Sequence, residues 1–255
     1  MKHETTPYLS VVIPSYNEMS NIKRGVLDDV VSYLQQQMYT WEVVLTDDGS
    51  TDGTVDALRA FAVKHEQVRV VENIHAGKAP TVKSGMLAAK GQWRLFTDFD
   101  QSTPLPEVRK LFEFSQHGYD VVIGSREMVG ARRDDEPFYR RIMGRGFNIM
   151  VQMLAVPGIL DTQCGFKLLS AVAAEDLFNR LYIYGSQQER NDAFTGAFDV
   201  ELLFLAYKSG YKIREVPIIW HHNATERVNP LKDSLRMFRD IVFIRLARIA
   251  GKYKK

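Results

Sequence analysis

The stretch Trp41-Glu-Val-Val-Leu-Thr-Asp-Asp-Gly-Ser-Thr-Asp52 joins a short apolar run to a polar turn, and a helical pattern follows it. The run from Trp41 to Thr46 predicts a buried strand that ends at Asp47-Asp48-Gly49. Ser50 or Thr51 suits the N-cap of a helix predicted from about Asp52 to His65. A strand, a turn and a helix in this order are typical of a parallel sheet covered by helices.

The neighbouring segments follow the same pattern. Four more apolar runs predict strands: Leu9–Ile13, Val68–Glu72, Gln92–Thr97 and Asp120–Ile123. Helices are predicted between them at about Glu18–Gln37, Ala79–Ala89 and Pro104–His117. This alternation predicts an α/β protein with a doubly wound, mostly parallel sheet and helices on both faces.

Polar clusters follow four of these strands, at Pro14–Glu18, Asp47–Asp52, Asp98–Ser102 and Gly124–Arg126. In doubly wound sheets the ligand binds beyond the carboxyl ends of the strands. We therefore expect one active site at this edge. Beyond Arg126 the pattern changes to a C-terminal helical elaboration, with a strand at Lys212–Pro217 and helices at about Pro137–Val156, Ala171–Leu181, Phe198–Ser209 and Pro230–Ile249.

Composition narrows the class of protein. The 255 residues are 45% hydrophobic, which suits a sizeable core, and the formal net charge of +2 is too small to indicate nucleic acid. Cys164 is the single cysteine, which fits a reducing compartment and a buried structural thiol better than a nucleophile. The polar start, Met1–Leu9, does not resemble a signal peptide, and no run of about 18 apolar residues predicts a transmembrane helix.

Asp98 and Asp100 stand one residue apart after the predicted strand Gln92–Thr97. Hard divalent cations prefer carboxylate oxygens, and Mg²⁺ usually takes one or two of them together with substrate phosphates. A metal held here would neutralise a departing diphosphate. Helix caps and solvated turns also produce such pairs, but the position at a strand end, before Gln101 and Ser102, favours a metal site.

Asp47 and Asp48 allow two interpretations. A turn that caps a helix needs one carboxylate, and a second, adjacent one suits a hydrogen bond from a nucleotide base. Gly77-Lys78, near a helix start, places a cation where phosphates bind. Glu72 occupies the position where a Walker A loop needs glycine, which argues against an ATPase or kinase.

Together these residues resemble the family 2 inverting glycosyltransferases, and within them the dolichyl-phosphate β-glucosyltransferase and polyprenyl-phosphate mannosyltransferase branch. The resemblance covers about residues 8–250 and rests on five ordered motifs: Val11–Glu18, Asp47–Asp52, Asp98–Asp100, Gly124–Arg126 and Asp161–Lys167. It implies a single GT-A domain over 1–255, with a nucleotide-sugar-binding half at about 8–126 and an acceptor- and membrane-facing half at about 127–255. Phe198–Leu202 resembles glucosyltransferase members and favours UDP and glucose.

The resemblance also implies roles for individual residues. The nucleotide site would contain Pro14, Tyr16, Glu18, Asp47, Asp48, Lys78 and Asp98. Asp98 and Asp100 would hold Mg²⁺ or Mn²⁺. Arg126 with Arg140 or Arg141 would bind the acceptor phosphate, and the catalytic set would be Asp100, Arg126 and Arg141. Phe99 stands where relatives commonly have a small residue, which leaves open a narrower metal loop.

The implied reaction moves a sugar from a nucleotide-sugar to a polyprenyl or dolichyl phosphate with inversion. A phosphate monoester has its second pKa near about 6 and needs no general base, whereas a hydroxyl acceptor needs a carboxylate within reach. Asp161 and Asp199 are the candidate bases. One alternative is a family 2 transferase with a soluble saccharide or protein acceptor. The other is a catalytically silent binding protein, but the presence of both Asp98 and Asp100 argues against it.

The final predicted helix, Pro230–Ile249, has a possible membrane role. A broad apolar face can collect Leu231, Leu235, Phe238, Ile241, Val242 and Leu246, with arginines and lysines elsewhere. Such a helix suits anionic lipid at a membrane interface, and it equally suits a helix packed on the core with a solvated basic side. We expect a cytoplasmic protein that is peripheral at the membrane.

Overall fold

The computed structural model describes residues 6–134, 151–152, 155–185, 196–222 and 230–253. Within these residues lie nine strands: β1 Leu9–Ser15, β2 Trp41–Asp47, β3 Val68–Glu72, β4 Trp93–Thr97, β5 Val121–Ser125, β6 Arg132–Asp134, β7 Phe166–Ser170, β8 Ile213–Pro217 and β9 Ile219–His221. Seven of them form one sheet in the order β3-β2-β1-β4-β7-β5-β8, and β6 pairs with β9 in a separate parallel ribbon.

Eight α-helices accompany these strands in the described part of the chain: α1 Met19–Lys23, α2 Val26–Gln35, α3 Thr54–Lys64, α4 Lys78–Ala88, α5 Val108–Ser115, α6 Ala171–Asn179, α7 Phe198–Lys208 and α8 Pro230–Ile249. The single helix predicted over Glu18–Gln37 is divided in two, because Gly25 adopts a left-handed backbone with φ of 82°. Most of the helix predicted over Pro137–Val156 lies outside the described residues. None of the helices described here is long and apolar enough to cross a bilayer.

The predicted α/β fold with a mostly parallel sheet is confirmed. Both faces are packed: alternate strand residues such as Val12 and Phe96 contact one apolar cluster with α4, α6, α7 and α8. Val11 and Leu95, one position away, contact the other cluster with α2 and α5. This two-residue alternation explains why the strands read as unbroken apolar runs in the sequence.

The sequence pattern did not predict β7, which among the described strands of the large sheet runs antiparallel to its neighbours. It lies between β4 and β5 and pairs with both, with Phe166 opposite Thr97 and Lys167 opposite Ile123. The polar segment Asp161–Gly165, which leads into β7, made the short apolar run that follows it hard to recognise in the sequence. Because β7 runs against its neighbours, it begins at the edge where β4 and β5 end, and it brings this lead-in to the polar edge.

The helix α8 does not present the single apolar face that its sequence suggested. Ile241, Ile244 and Ala247 are buried against the core. Phe238 and Leu246, grouped with Ile241 in the sequence analysis, are instead 45% and 52% exposed. The helix therefore carries apolar side chains on two sides, one packed and one facing outward.

Candidate active site

The predicted edge site is assembled from the ends of β1, β2, β4 and β5, the start of β7 and the start of α4. Asp47 ends β2, and Asp98 and Asp100 follow β4. Lys78 is the first residue of α4, and Arg126 follows β5 directly. These side chains lie far apart in the sequence and share one edge because parallel strands end on the same side of a sheet.

Asp47 and Asp48 are buried and support the loops of this edge. The Asp47 carboxylate accepts hydrogen bonds from the Ser15 hydroxyl at 3.0 Å and from the Ser50 backbone N–H at 2.8 Å. Asp48 accepts from the backbone N–H groups of Ala76 at 2.8 Å and Gly77 at 3.0 Å. Asp47 thus fixes the turn after β2, and Asp48 fixes the loop that leads into α4.

A stacked aromatic pair stands beside these loops. The rings of Tyr16 and His75 are 4.3 Å apart and nearly parallel, at 10°. His75 Nδ1 lies 2.9 Å from Oδ2 of Asp48, which orients the imidazole. Both rings are partly exposed, so they offer a flat surface that suits a nucleobase. His75 was not predicted from the sequence, although it stands only two residues before Gly77-Lys78, which was predicted to lie near phosphates.

Glu18 and Pro14 complete the β1 side of the predicted nucleotide site, and both are partly buried. The Glu18 backbone N–H donates to the Thr54 hydroxyl at 2.9 Å, which links the start of α1 to the start of α3. The Glu18 carboxylate accepts a hydrogen bond from the Asn21 side chain. Glu18 therefore organises the loop after β1 in this structure.

Asp98 pairs with Lys78 at the centre of the edge. The Asp98 side chain is 38% exposed and that of Lys78 is 25% exposed. Partial burial by itself would lower the pKa of Lys78, but the carboxylates of Asp98, Asp199 and Asp100 outweigh it and raise the pKa. Lys78 therefore remains a cation at any physiological pH.

In the Asp98-Phe99-Asp100 turn, the Asp100 carboxylate is held by hydrogen bonds and the Phe99 ring is buried in the core. Asp100 accepts hydrogen bonds from the Ser102 backbone N–H and hydroxyl, both at 2.9 Å, which hold its carboxylate in place. Phe99 is only 4% exposed and packs in the core cluster beneath the sheet. Phe99 therefore contributes to the core, and a narrower metal loop stays a prediction.

Arg126 is held by Asp161. Its Nε and Nη2 donate to the Asp161 carboxylate at 2.7 and 2.9 Å, and its backbone N–H donates to the same group at 2.9 Å. Burial alone would raise the pKa of Asp161, but Arg126 and then Lys167 lower it to about 2. The Arg126 guanidinium also lies over the Trp220 ring at 5.4 Å.

Asp199 and Lys167 form a second ion pair, buried beneath the edge. Lys167 is fully buried and also donates to the Cys164 carbonyl oxygen. Burial raises the pKa of Cys164 to about 12, so this thiol stays protonated and suits the structural role expected of it. His221, in β9, pairs with Asp134 of β6 at 3.0 Å.

The structure thus brings Lys78 and Asp98 into contact and places Asp48 behind the Tyr16–His75 stack. Arg140 and Arg141, predicted to bind the acceptor, lie outside the described residues.

Residues 10–178 match the model of the family described as Glycosyl transferase family 2. This chain belongs to glycosyltransferase family 2. The chain is therefore a glycosyltransferase.

Several curated relatives share one name. Dolichyl-phosphate beta-glucosyltransferase of Drosophila melanogaster is 35% identical over 263 residues, which cover 96% of this chain and 77% of the relative. The proteins of the same name from Saccharomyces cerevisiae and Homo sapiens are 34% and 32% identical, over 97% and 98% of this chain and 77% and 78% of theirs.

Solved structures share the fold at lower identity. Mannosyl-3-phosphoglycerate synthase from Rubrobacter xylanophilus aligns with a TM-score of 0.67 and 17% identity, covering 98% of this chain and 76% of that one. Glucosyl-3-phosphoglycerate synthase from Mycobacterium tuberculosis, in complex with Mn²⁺, uridine diphosphate and glucosyl-3-phosphoglycerate, aligns with a TM-score of 0.61 and 20% identity, over 96% and 80%. The GT-A fold that the sequence predicted is therefore confirmed.

Proposed function

We propose that this chain transfers glucose from UDP-glucose to a dolichyl or related polyprenyl phosphate, with inversion at the sugar and with Mg²⁺ or Mn²⁺. The relatives named dolichyl-phosphate beta-glucosyltransferase support the sugar and the acceptor, because this chain covers more than three quarters of their length. The proposal also accounts for the sequence motifs at the edge of the sheet.

The observation that carries the choice of acceptor is the pairing of both candidate bases. Asp161 is fully buried and bound by Arg126 through two nitrogens, and Asp199 is bound by Lys167. A carboxylate in a buried ion pair is a poor proton acceptor, since its charge is already compensated. A hydroxyl acceptor would need such a base. A phosphate acceptor would not, because it is already ionised at neutral pH.

The proposed donor site lies between the Tyr16–His75 stack and the Asp98–Lys78 pair. The stacked rings would support the base, and Lys78, at the start of α4, would face the diphosphate. The described residues contain no group of three or more histidine, cysteine or acidic side chains that would hold a metal. Asp98 and Asp100 fit a Mg²⁺ or Mn²⁺ ion that takes its remaining ligands from the diphosphate and water.

That these residues accept a cation is supported by the structure, in which the Lys78 ammonium already lies on the Asp98 carboxylate. When bound, the metal would stabilise the negative charge that develops on the leaving diphosphate. The reaction itself is one displacement. An oxygen of the lipid phosphate attacks the anomeric carbon, the bond from that carbon to the UDP oxygen breaks, and UDP leaves with the electron pair. The lipid phosphate keeps the sugar in the inverted, β configuration.

Arg126, with Arg140 and Arg141, remains the proposed acceptor-binding group. Asp161 fixes the plane of the Arg126 guanidinium at the end of β5, on the side of the edge away from β2 and β3. An arginine held in a fixed plane loses little side-chain entropy when it binds a phosphate. In this proposal Asp161 positions Arg126 and does not accept a proton.

We also propose that α8 rests on a membrane surface, at its cytoplasmic face. Its outer side exposes large apolar side chains that a fully solvated helix would rarely carry: Phe238 45%, Phe243 47%, Leu246 52% and Ile249 82%. Basic residues alternate with them, and the Arg239 guanidinium lies 5.7 Å from the centre of the Phe243 ring. An open apolar groove of about 360 Å³ adjoins this side, between Tyr182, Ile183 and Leu246. Apolar and basic groups mixed on one side suit an interfacial helix.

The direct test is transfer of radiolabelled glucose from UDP-glucose to dolichyl phosphate with Mg²⁺ or Mn²⁺, followed by extraction into organic solvent. We expect a lipid-linked product from the wild-type chain and none from Asp100→Ala. Release of UDP only when saccharides or proteins are supplied would instead establish the alternative acceptor class.

Sedimentation with phosphatidylcholine vesicles that contain about one third phosphatidylglycerol tests the membrane contact. The double variant Phe243→Ser, Leu246→Ser should bind these vesicles far less than the wild type, and salt should weaken the binding of both. Val63→Ser is the matched control, because Val63 is 88% exposed on α3, on the opposite face of the sheet. Equal binding by all three chains would rule out this surface.

A further inference from the structure

We infer that Lys78 is a resident counter-ion of Asp98 that competes with the metal, so that the enzyme binds its divalent cation together with the nucleotide and only weakly before it. The inference rests on the proposed metal and donor site. It assigns Lys78 a second role, besides contact with the diphosphate, as the group that makes metal binding depend on the donor.

Lys78 and Asp98 already form a contact ion pair in the chain alone. The pair is partly exposed, so a metal can reach this carboxylate, where it meets the ammonium already bound at Oδ1. Asp98 is at the same time one of the two carboxylates of this turn that are proposed to hold the metal. Two cations therefore compete for one carboxylate.

The Asp98 carboxylate and the start of α4 are both held in place. A Cβ atom at Gly165 would lie only 2.2 Å from Oδ2 of Asp98, so the β7 lead-in presses directly against the back of this carboxylate. Lys78 begins α4, and Asp48 holds the two residues before it through their backbone N–H groups at 2.8 and 3.0 Å. The Asp98 carboxylate and the Lys78 backbone are thus held in place, whereas the long Lys78 side chain can still rotate.

A bound diphosphate changes this competition because it gives Lys78 a new anionic partner. The ammonium can then turn from Asp98 to phosphate oxygens, and the carboxylate becomes available to the metal, which the same phosphates also ligate. Metal and nucleotide should therefore strengthen each other's binding, and by linkage each should do so by the same factor. Part of that factor would be the release of Lys78 from Asp98.

The experiment is a Mn²⁺ titration of the full chain, with free Mn²⁺ followed by its electron paramagnetic resonance signal, without and with UDP. Removing the competing charge in Lys78→Met should tighten Mn²⁺ binding in the absence of UDP by about five- to tenfold. The same variant should bind UDP more weakly, and the factor by which UDP enhances Mn²⁺ binding should fall. Asp98→Asn should lose Mn²⁺ binding in both conditions, which shows that the signal reports this site.

Lys83→Met is the matched control, since Lys83 lies on the same helix five residues further along and donates to the Gly185 carbonyl at 3.1 Å. It removes one positive charge without touching Asp98 and should leave Mn²⁺ binding unchanged. Nucleotide-free Mn²⁺ affinity that is equal in Lys78→Met and the wild type would overturn the inference while leaving the proposed function intact. Equal tightening in both lysine variants would overturn it as a general charge effect. Absence of Mn²⁺ binding to the wild type even with UDP would overturn the metal-dependent function as well.

Discussion

Gly165→Ala is a substitution that should disable the active site while leaving the fold nearly intact. The added Cβ atom would lie 2.2 Å from Oδ2, 2.6 Å from Cγ and 2.7 Å from Oδ1 of Asp98. Gly165 does not adopt a left-handed backbone conformation, so alanine causes no backbone strain there. The three atoms nearest to the added Cβ thus all belong to one carboxylate, and that carboxylate is a proposed metal ligand.

The size of the effect follows from the distance. Real Cβ contacts essentially never fall below 3.0 Å, so the nearest carboxylate oxygen must retreat by about 0.8 Å. A displacement on the order of 1 Å in an active site can lower a rate by roughly a hundredfold. That corresponds to about 2.7 kcal/mol of lost transition-state stabilisation. We expect a loss of this order in kcat/KM for glucose transfer.

The assay compares kcat/KM for transfer from UDP-glucose to dolichyl phosphate with the midpoint of urea unfolding for each variant. Gly124→Ala is the control, because its Cβ would crowd Ile218 at 3.2 Å and Cys164 at 3.4 Å but not Asp98. It should lose about 1 kcal/mol or less in stability and little activity. If Gly165→Ala kept more than half of the wild-type kcat/KM, the assignment of Asp98 to the catalytic centre would be refuted.

Three further predictions concern the buried polar groups and the aromatic stack. Because the pKa of Asp161 is lowered to about 2 in the folded chain, its carboxylate contributes stability above about pH 4 that is lost as the pH falls towards 2; urea unfolding should show about 2 kcal/mol of this loss in the wild type, and its absence in Asp161→Asn. Glu201 is fully buried and accepts from the backbone N–H groups of residues 182, 183 and 184, so Glu201→Gln should lower the free energy of unfolding by about 1 to 3 kcal/mol, and an unchanged unfolding midpoint would contradict this. His75→Ala should weaken UDP binding about five- to tenfold by calorimetry through loss of the Tyr16 stack, whereas unchanged affinity would place the base elsewhere.

Much of the structure from β1 to β5 was predictable from the sequence. Strands such as Trp41–Asp47 can be recognised as short apolar runs followed by polar turns. Because these strands are parallel, Asp47, Asp98 and Arg126 then lie at the same edge of the sheet. The positions of these side chains relative to the sheet follow from chain topology alone, without knowledge of their contacts.

The remainder depended on contacts that no local pattern encodes. The strand at Phe166–Ser170 is short, and its antiparallel direction is set by its partners in the sheet. The pairing of Arg126 with Asp161 joins residues 35 positions apart and changes the interpretation of both. The outward apolar side of α8 could not be predicted either, because helical periodicity indicates which residues share a side of the helix but not which side packs against the core.

The central position of β7 has a consequence for how the chain folds as it is synthesised. β5 is complete at residue 125, but both of its sheet neighbours, β7 and β8, are made later. From residue 125 to residue 170 the nascent chain adds 45 residues, which takes about 2 to 9 seconds at common translation rates. Throughout that interval β4 has one unpaired edge and β5 has two, and such apolar edges promote aggregation. Residues 8–126 expressed alone would keep those edges permanently, so this segment should depend on chaperones or on the rest of the chain to remain soluble.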